Sequence, residues 1–163
     1  MVEGATDPPI RRLRASDAGE MAELDREVFG KDAWPPDMFD NQFLLPWVTC
    51  LGIDARELDP EQPPDRLAAC GVITCGVESD LMTIAVREPW RRRGLATALL
   101  SALLAEAERQ GAEVCFLEVR AADRGAQALY RRAGFTEVGI RRGYYGDDDG
   151  LLMRRQFGKR PHT

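Results

Sequence analysis

The sequence between residues 80 and 120 admits few folds. "DLMTIAV" (80–86) reads as an apolar strand and "EVCFLEVR" (113–120) as another. Between them "GLATALLSALLAEAERQ" (94–110) reads as a helix that Gly111 stops, with Leu95, Leu99 and Leu103 recurring at four-residue spacing along one face. Strand, helix and strand in that order predict a crossover unit whose two strands run parallel. The turn into the helix, "WRRRGLA" (90–96), carries an electrostatic conflict: Arg91, Arg92 and Arg93 add positive charge where a helix N-terminus is already partly positive. An anion bound at the unpaired N–H groups of the first turn would resolve it. Gly94 would let backbone approach that anion, and Ala96 would keep the first turn slim. The competing reading is a solvated basic face. The turn has neither the G-x-x-x-x-G-K-[ST] pattern of a nucleoside-triphosphate loop nor the G-x-G-x-x-G of a dinucleotide fold.

The rest of the chain supplies partners for this unit. "IRRLR" (10–14) reads as a first strand, and "SDAGEMAELDREVF" (16–29) as a helix presenting Met21, Ala22, Leu24, Val28 and Phe29, with Asp17 and Glu20 at capping-box spacing. The two prolines of "GKDAWPPDMFDNQF" open a short second helix. "WVTCLGIDA" (47–55), "LAACGVITCGVE" (67–78) and 80–86 form an antiparallel meander, broken by the Pro-rich connection "RELDPEQPPD". "RGAQALYRRAG" (124–134) is a helix, and "FTEVGIRRGYY" and "GLLMRRQF" are a final strand pair around "GDDDG". The expected fold is a single α/β domain over residues 9–158: a mixed sheet of about seven strands with helices on both faces. Residues 1–8 and 159–163 are expected to be a flexible leader and tail.

Composition removes several functions. A net charge of −5 speaks against a phosphate-tracking nucleic-acid binder. Apolar runs are strand-sized, so no membrane span is expected, and the N-terminus lacks a secretory pattern. The four cysteines fall in strand-like runs without C-x-x-C spacing, as small buried hydrophobes of a reducing cytoplasm do. The single histidine, His162, leaves no parts for a Ser-His-Asp or Cys-His engine or a His-ligated metal. Glu118 interrupts the apolar strand "CFLEVR" and is a candidate general base; otherwise it is an exposed strand residue or a partner for Arg120 or Arg87. Tyr130 in "AQALYRRAGF" is a candidate acid, or core packing.

Residues 91–96 match [Q/R]-x-x-G-x-[G/A], the acetyl-coenzyme A signature of the GNAT N-acetyltransferases. "TIAVREPWRRRGLATALL" resembles that family's fourth strand and third helix, and "LEVRAADRGAQALYRRAGF" its next strand and helix. "IRRGYY" and "FGKDAWPPDMF" add likeness to the ribosomal-protein-alanine subgroup. The resemblance implies acetyl-CoA as cosubstrate, without a metal. Its pyrophosphate would lie on residues Arg91, Arg92, Arg93, Gly94, Leu95, Ala96 and Thr97, and its pantetheine in a gap between strands 80–86 and 113–119. Ile84, Ala85 and Val86 would pair with the pantetheine, the Val86 amide polarising the thioester carbonyl. Asp123 and Tyr130 would also touch the cofactor. The resemblance further implies Glu118 as base and Tyr130 as the acid that protonates the thiolate, with Trp34, Pro35, Tyr144 and Tyr145 at the acceptor. The expected acceptor is a protein N-terminus such as that of a small-subunit ribosomal protein. Other acceptors weighed are a small-molecule amine and a lysine side chain, and a non-catalytic CoA-binding module is the third reading. The expected assembly is a monomer or weak dimer. Two departures stand out: Asp123-Arg124 replaces the family's usual Asn, and "YYGDDDGLLM" skips the subgroup's acidic-Ala motif. The three aspartates of that loop are either a plain turn or a lure for a basic peptide.

Overall fold

The computed structural model describes residues 8–158; the expected leader, apart from Pro8, and the tail with His162 lie outside the described residues. Among these residues the order is β1 (Arg11–Arg12), α1 (Ala18–Phe29), α2 (Pro36–Gln42), β2 (Val48–Asp54), β3 (Leu67–Thr74), β4 (Glu78–Val86), α3 (Leu95–Arg109), β5 (Val114–Arg120), α4 (Arg124–Arg132), β6 (Thr136–Arg141) and β7 (Gly150–Gln156). The seven strands make one mixed sheet ordered β1-β2-β3-β4-β5-β7-β6. All neighbours are antiparallel except β4 and β5, which run parallel as the crossover requires.

That parallel pairing is short. Glu78 faces Val114, Ser79 faces Cys115 and Asp80 faces Phe116; beyond them the strands part. Each keeps its other neighbour. β4 is zipped to β3 from Leu81 to Val86, and β5 to β7 over its whole length. The sheet is therefore two half-sheets joined at one end and open at the other.

Helices hold the halves from both faces. Leu95, Leu99, Leu100, Leu103, Leu104 and Ala107 of α3 are buried in one apolar cluster with Ile73, Ile84, Leu117 and Met153. At Gly71 of β3 an added Cβ would sit 2.6 Å from a Leu103 methyl carbon, so glycine is what lets α3 lie this close. On the other face Met21 and Leu24 of α1 and Phe39 of α2 pack with Cys50, Cys70 and Val72. Cys50, Cys70 and Cys115 are buried, Cys75 is half-buried, and all four are free thiols. Burial pushes Cys50 up to about 12 and Cys115 up to about 11, which suits packing and not nucleophilic chemistry.

The expected boundaries shift where side chains engage elsewhere. The first strand is two residues, not 10–14. Leu13 turns into the core while its N–H bonds the Cys50 carbonyl, and residues 15–17 coil into a 3-10 turn. Asp17 and Glu20 do not form a box on α1. The Asp17 carboxylate accepts from the Arg14 N–H and from Arg11, and Glu20 accepts from the Leu67 N–H and from Arg87. β6 ends at Arg141, so Tyr144 and Tyr145 sit in a turn, not in the strand.

Arg87, 2% exposed, ties α1 to the end of β4. It donates to Glu20 at 2.7 Å, to Glu27 at 2.7 Å and to the Leu67 carbonyl at 2.7 Å. Removing Arg87 leaves the Leu67 carbonyl without its donor and Glu20, only 20% exposed, without its cation. Arg87→Met is expected to cost about 3 kcal/mol or more, read as a fall of roughly 10 °C in melting temperature. A change under about 1 kcal/mol in denaturant titration would show the cluster to be dispensable.

Candidate active site

Where β4 and β5 part, a cleft of about 1280 Å³ passes between them. Alternation along β4 decides which backbone groups face it. The Arg87 N–H bonds the Ala68 carbonyl on β3, so the amide groups of Val86, one residue back, point away from β3. The Arg91 guanidinium confirms the direction by donating to the Val86 carbonyl at 3.0 Å. Ile84, in phase with Val86, shares that orientation. Ile84, Ala85 and Val86 all line the cleft.

The turn before α3 forms the rim. Arg92 and Gly94 both adopt left-handed backbone, φ 63° and 78°, and the first helical bond runs from the Ala98 N–H to the Gly94 carbonyl. Glycine is needed at 94 for that φ and not for clearance, since an added Cβ would meet nothing within 4 Å. Among the described residues no backbone acceptor faces the N–H groups of residues 92–97. Arg91 and Ala96 line the cleft, whereas Arg92, Arg93 and Gly94 are exposed beside it. The Leu95 side chain is buried in the core, leaving only its N–H for the rim. Thr97 borders a separate cavity of about 200 Å³ with Ser101, Leu129, Arg132 and Arg155. Asp123, also on the cleft, accepts the Ala126 N–H at 3.0 Å and so caps α4.

The pleat of β5 separates two chambers. Leu117 and Val119 join the core cluster on the α3 side, where Tyr130 of α4 also packs, edge-on to Phe135 at 6.0 Å. Phe116, Glu118 and Arg120 face the other way, toward the loop between α1 and α2 and the loop between β6 and β7. Glu118 pairs with neither Arg120 nor Arg87 but with Arg141, at 3.0 Å. Among the described residues the Tyr130 hydroxyl has no hydrogen-bond partner; the side chain lines the cleft, and burial pushes the phenol's pKa up, so it stays protonated. The structure thus brings Glu118 and Tyr130 to one cleft from opposite faces of the sheet.

Trp34, Tyr144 and Tyr145 line the cleft on the Glu118 side. Pro35 does not; it is exposed, and its carbonyl accepts the Met38 N–H at the start of α2. The aspartates of 147–149 are not a free lure for a basic peptide. Asp147 accepts from Lys31 and Arg120, Asp148 from the Ala122 N–H, and Asp149 from the Gly143 N–H. Sequence reasoning missed Asp25, 2% exposed, whose carboxylate accepts the Trp34 N–H at 2.9 Å and the Thr83 hydroxyl at 3.3 Å. It braces the 30–35 loop against β4. Its one legible signal was an acidic residue directly after Leu24 on an apolar helix face. Among the described residues no cluster of three or more His, Cys, Asp or Glu is placed to hold a metal, and no helix is long and apolar enough to cross a membrane.

Residues 19–135 match the model of the acetyltransferase (GNAT) family. The chain is 35% identical over 161 residues to the N-alpha-acetyltransferase RimI of Mycobacterium tuberculosis, covering 94% of this chain and 96% of that one. It is 47% identical over 80 residues to the ribosomal protein bS18-alanine N-acetyltransferase of Escherichia coli, a match to 47% of this chain and about half (54%) of that protein. The crystal structure of the Escherichia coli ribosomal-protein-alanine N-acetyltransferase superposes with TM-score 0.79 at 26% identity, covering 95% of this chain and 98% of that one.

Burial raises the Asp25 pKa against the two hydrogen bonds that lower it. The fold then binds this proton more tightly than the open chain does, so ionising Asp25 lowers stability as pH rises from the unfolded value, about 3.9, to the raised folded one. Asp25→Asn should therefore be at least as stable as the parent at neutral pH, with the advantage vanishing below about pH 4. Asp25→Ala should lose about 1–3 kcal/mol by orphaning the Trp34 N–H. Urea titrations of both variants from acid to neutral pH check this.

Proposed function

The chain belongs to the acetyltransferase (GNAT) family and is an N-acetyltransferase, and from that premise we propose that it moves the acetyl group of acetyl-CoA directly onto the N-terminal amine of a protein. The observation that carries this reading is the cleft itself, which opens both at the amide-rich rim of α3 and at the aromatic chamber beyond Glu118. The coenzyme pyrophosphate would accept the N–H groups of residues 92–97, with Arg91 alongside and Arg92 and Arg93 adding diffuse positive charge. Its pantetheine amides would extend the edge of β4 that β5 leaves unpaired, opposite Ile84 and Val86. The outward Val86 N–H would hold the thioester carbonyl and its tetrahedral oxyanion.

The acceptor amine would enter from the chamber of Trp34, Tyr144 and Tyr145. A protein α-amine has a pKa of about 7.7–8.0, so Glu118, directly or through water, needs to take only one modestly held proton. The amine nitrogen bonds the carbonyl carbon, the C–S bond breaks, the Tyr130 hydroxyl gives its proton to the thiolate, and the second proton shed by the new amide nitrogen returns through water to the tyrosinate. Four free thiols fit a reducing compartment such as the cytoplasm. One observation favours a ribosomal protein with an N-terminal alanine: the likeness over 95% of the chain to the Escherichia coli ribosomal-protein-alanine N-acetyltransferase.

Intact-mass analysis of ribosomal proteins incubated with the enzyme and acetyl-CoA tests the acceptor. One protein with an N-terminal alanine should gain a single acetyl group. Acetylation of small amines without any of these proteins would overturn the protein-acceptor reading in favour of a small-molecule substrate. Glu118→Gln and Tyr130→Phe should each lower kcat by about 100-fold or more, with acetyl-CoA binding retained. Arg91→Ala should weaken that binding, and salt should weaken it in the parent. Salt-independent binding would count against the anion seat.

A further inference from the structure

Resting on the reading that residues 30–35 and 142–149 flank the acceptor, we propose that Arg120 is a positioning residue that clasps these two loops into one acceptor mouth. Arg120 ends β5, two residues beyond Glu118 and on the same face of the sheet. Its guanidinium holds partners on both loops at once. Nε and Nη2 donate to the two oxygens of Asp32, at 2.5 and 2.8 Å, and Nη1 donates to Asp147 Oδ1 at 3.0 Å. Lys31 closes the ring by donating to the other oxygen of Asp147 at 2.8 Å. Asp148 adds a carboxylate oxygen 3.9 Å away, and the Tyr145 ring lies under the guanidinium at 4.6 Å.

A planar fork with five donors is what such a bridge requires, because a lysine ammonium has no fixed geometry to grip one carboxylate bidentately and still reach a second. A lone exposed ion pair contributes little, but this is a network. Its central side chain is only 22% exposed and is fixed by stacking as well as by charge. Arg120 holds the Asp32 carboxyl below the usual range, and Lys31 with Arg120 hold Asp147 down at about 2. The clasp is thus fully ionised across the working pH range, and salt is the lever that loosens it. The clasp spans 88 residues to one loop and 27 to the other, so it sets the spacing between Trp34 and Tyr145 across the mouth. The coenzyme chamber, behind Leu117 and Val119, lies on the opposite face of β5 and is untouched.

The test compares Arg120→Met, Arg120→Lys, Asp147→Asn and the double variant Arg120→Met/Asp147→Asn with the parent. Acetyl-CoA binding is measured by calorimetry. KM and kcat are measured on an alanine-initiated peptide at about 0.05 and about 0.5 M salt, and hydrogen exchange over both loops by mass spectrometry. Arg120→Met should raise the peptide KM about tenfold, with kcat within about twofold and coenzyme affinity unchanged. Both loops should exchange faster together. Lysine should restore part of the loss, and the double variant should be little worse than Arg120→Met alone. High salt should raise the parent's KM and leave that of Arg120→Met nearly flat. An unchanged KM, a parallel loss of coenzyme affinity, a kcat loss at constant KM, or loosening of one loop alone overturns the clasp. If Arg120→Met fails to fold, Asp147→Asn decides by the same readings. If the parent acetylates no peptide, the protein-acceptor reading falls, and coupled loosening in hydrogen exchange decides the clasp alone: seen, it stands; absent, it is overturned.

Discussion

Everything in this molecule follows from β4 and β5 parting after three paired residues in the middle of a sheet. Interior strands do not leave backbone donors and acceptors facing an empty gap unless something else occupies it. Here the outer edge of β4 from Ile84 to Val86 has lost its natural neighbour, and the inner edge of β5 has lost its own. An extended chain bearing amides can replace the missing strand on one of them. The crossover helix that must join two parallel strands begins beyond the unpaired end of β4. The unpaired N–H groups at the start of α3 and the strand-like slot therefore adjoin for a topological reason, and one ligand that carries both a diphosphate and amides could use both.

Keeping the gap open is a packing problem. α3 buries its apolar stripe over the β2–β4 half, close enough at Gly71 to exclude a methyl group, while β5 is locked to β7 along its full length. α1 and α2 cover the reverse face of the β2–β4 half, and the Arg87 cluster ties α1 to the residue that follows β4. Each half thus has its own rigid support, and neither can slide to close the wedge without exposing a buried leucine or stranding a buried charge.

Much of this was legible in the sequence, because local periodicity carries it. The Leu95, Leu99, Leu103 stripe, the stop at Gly111 and the apolar runs on either side define the crossover without any tertiary knowledge. Glu118 stood out because a carboxylate interrupts an apolar strand, whereas Tyr130 reads as ordinary helix packing and was singled out by the family motif around it. What stayed hidden depends on pairs far apart in the chain. Arg120 grips Asp32 across 88 residues, Glu118 pairs with Arg141 and not with a neighbouring arginine, and Asp25 bonds Trp34 and Thr83 inward. Nothing periodic announces such partners. The same blindness explains the aspartates of 147–149. Read alone they are a negative patch, but in the fold each carboxylate already accepts a hydrogen bond from a cationic side chain or a backbone N–H. Pro35 was placed at the mouth by its neighbour Trp34, yet the turn that brings Trp34 inward sends Pro35 out to begin α2.

The distribution of arginines returns to the conflict at the start of α3. Around the chamber of Trp34, Tyr144 and Tyr145, Arg120 and Arg141 are both matched by carboxylates, so that side carries structured, locally neutral pairs. At the α3 rim Arg91, Arg92 and Arg93 have no carboxylate partner among the described residues, in a chain with 27 acidic residues to draw on. Positive charge left unmatched beside unpaired amides is unfavourable in the empty protein and favourable only with an anion in place. Pairing those arginines internally would relieve the strain and weaken the seat in the same step. The rim therefore gives up some stability in the empty state and leaves its charges open to an anion, while the charges around the opposite chamber pair with one another across its own loops.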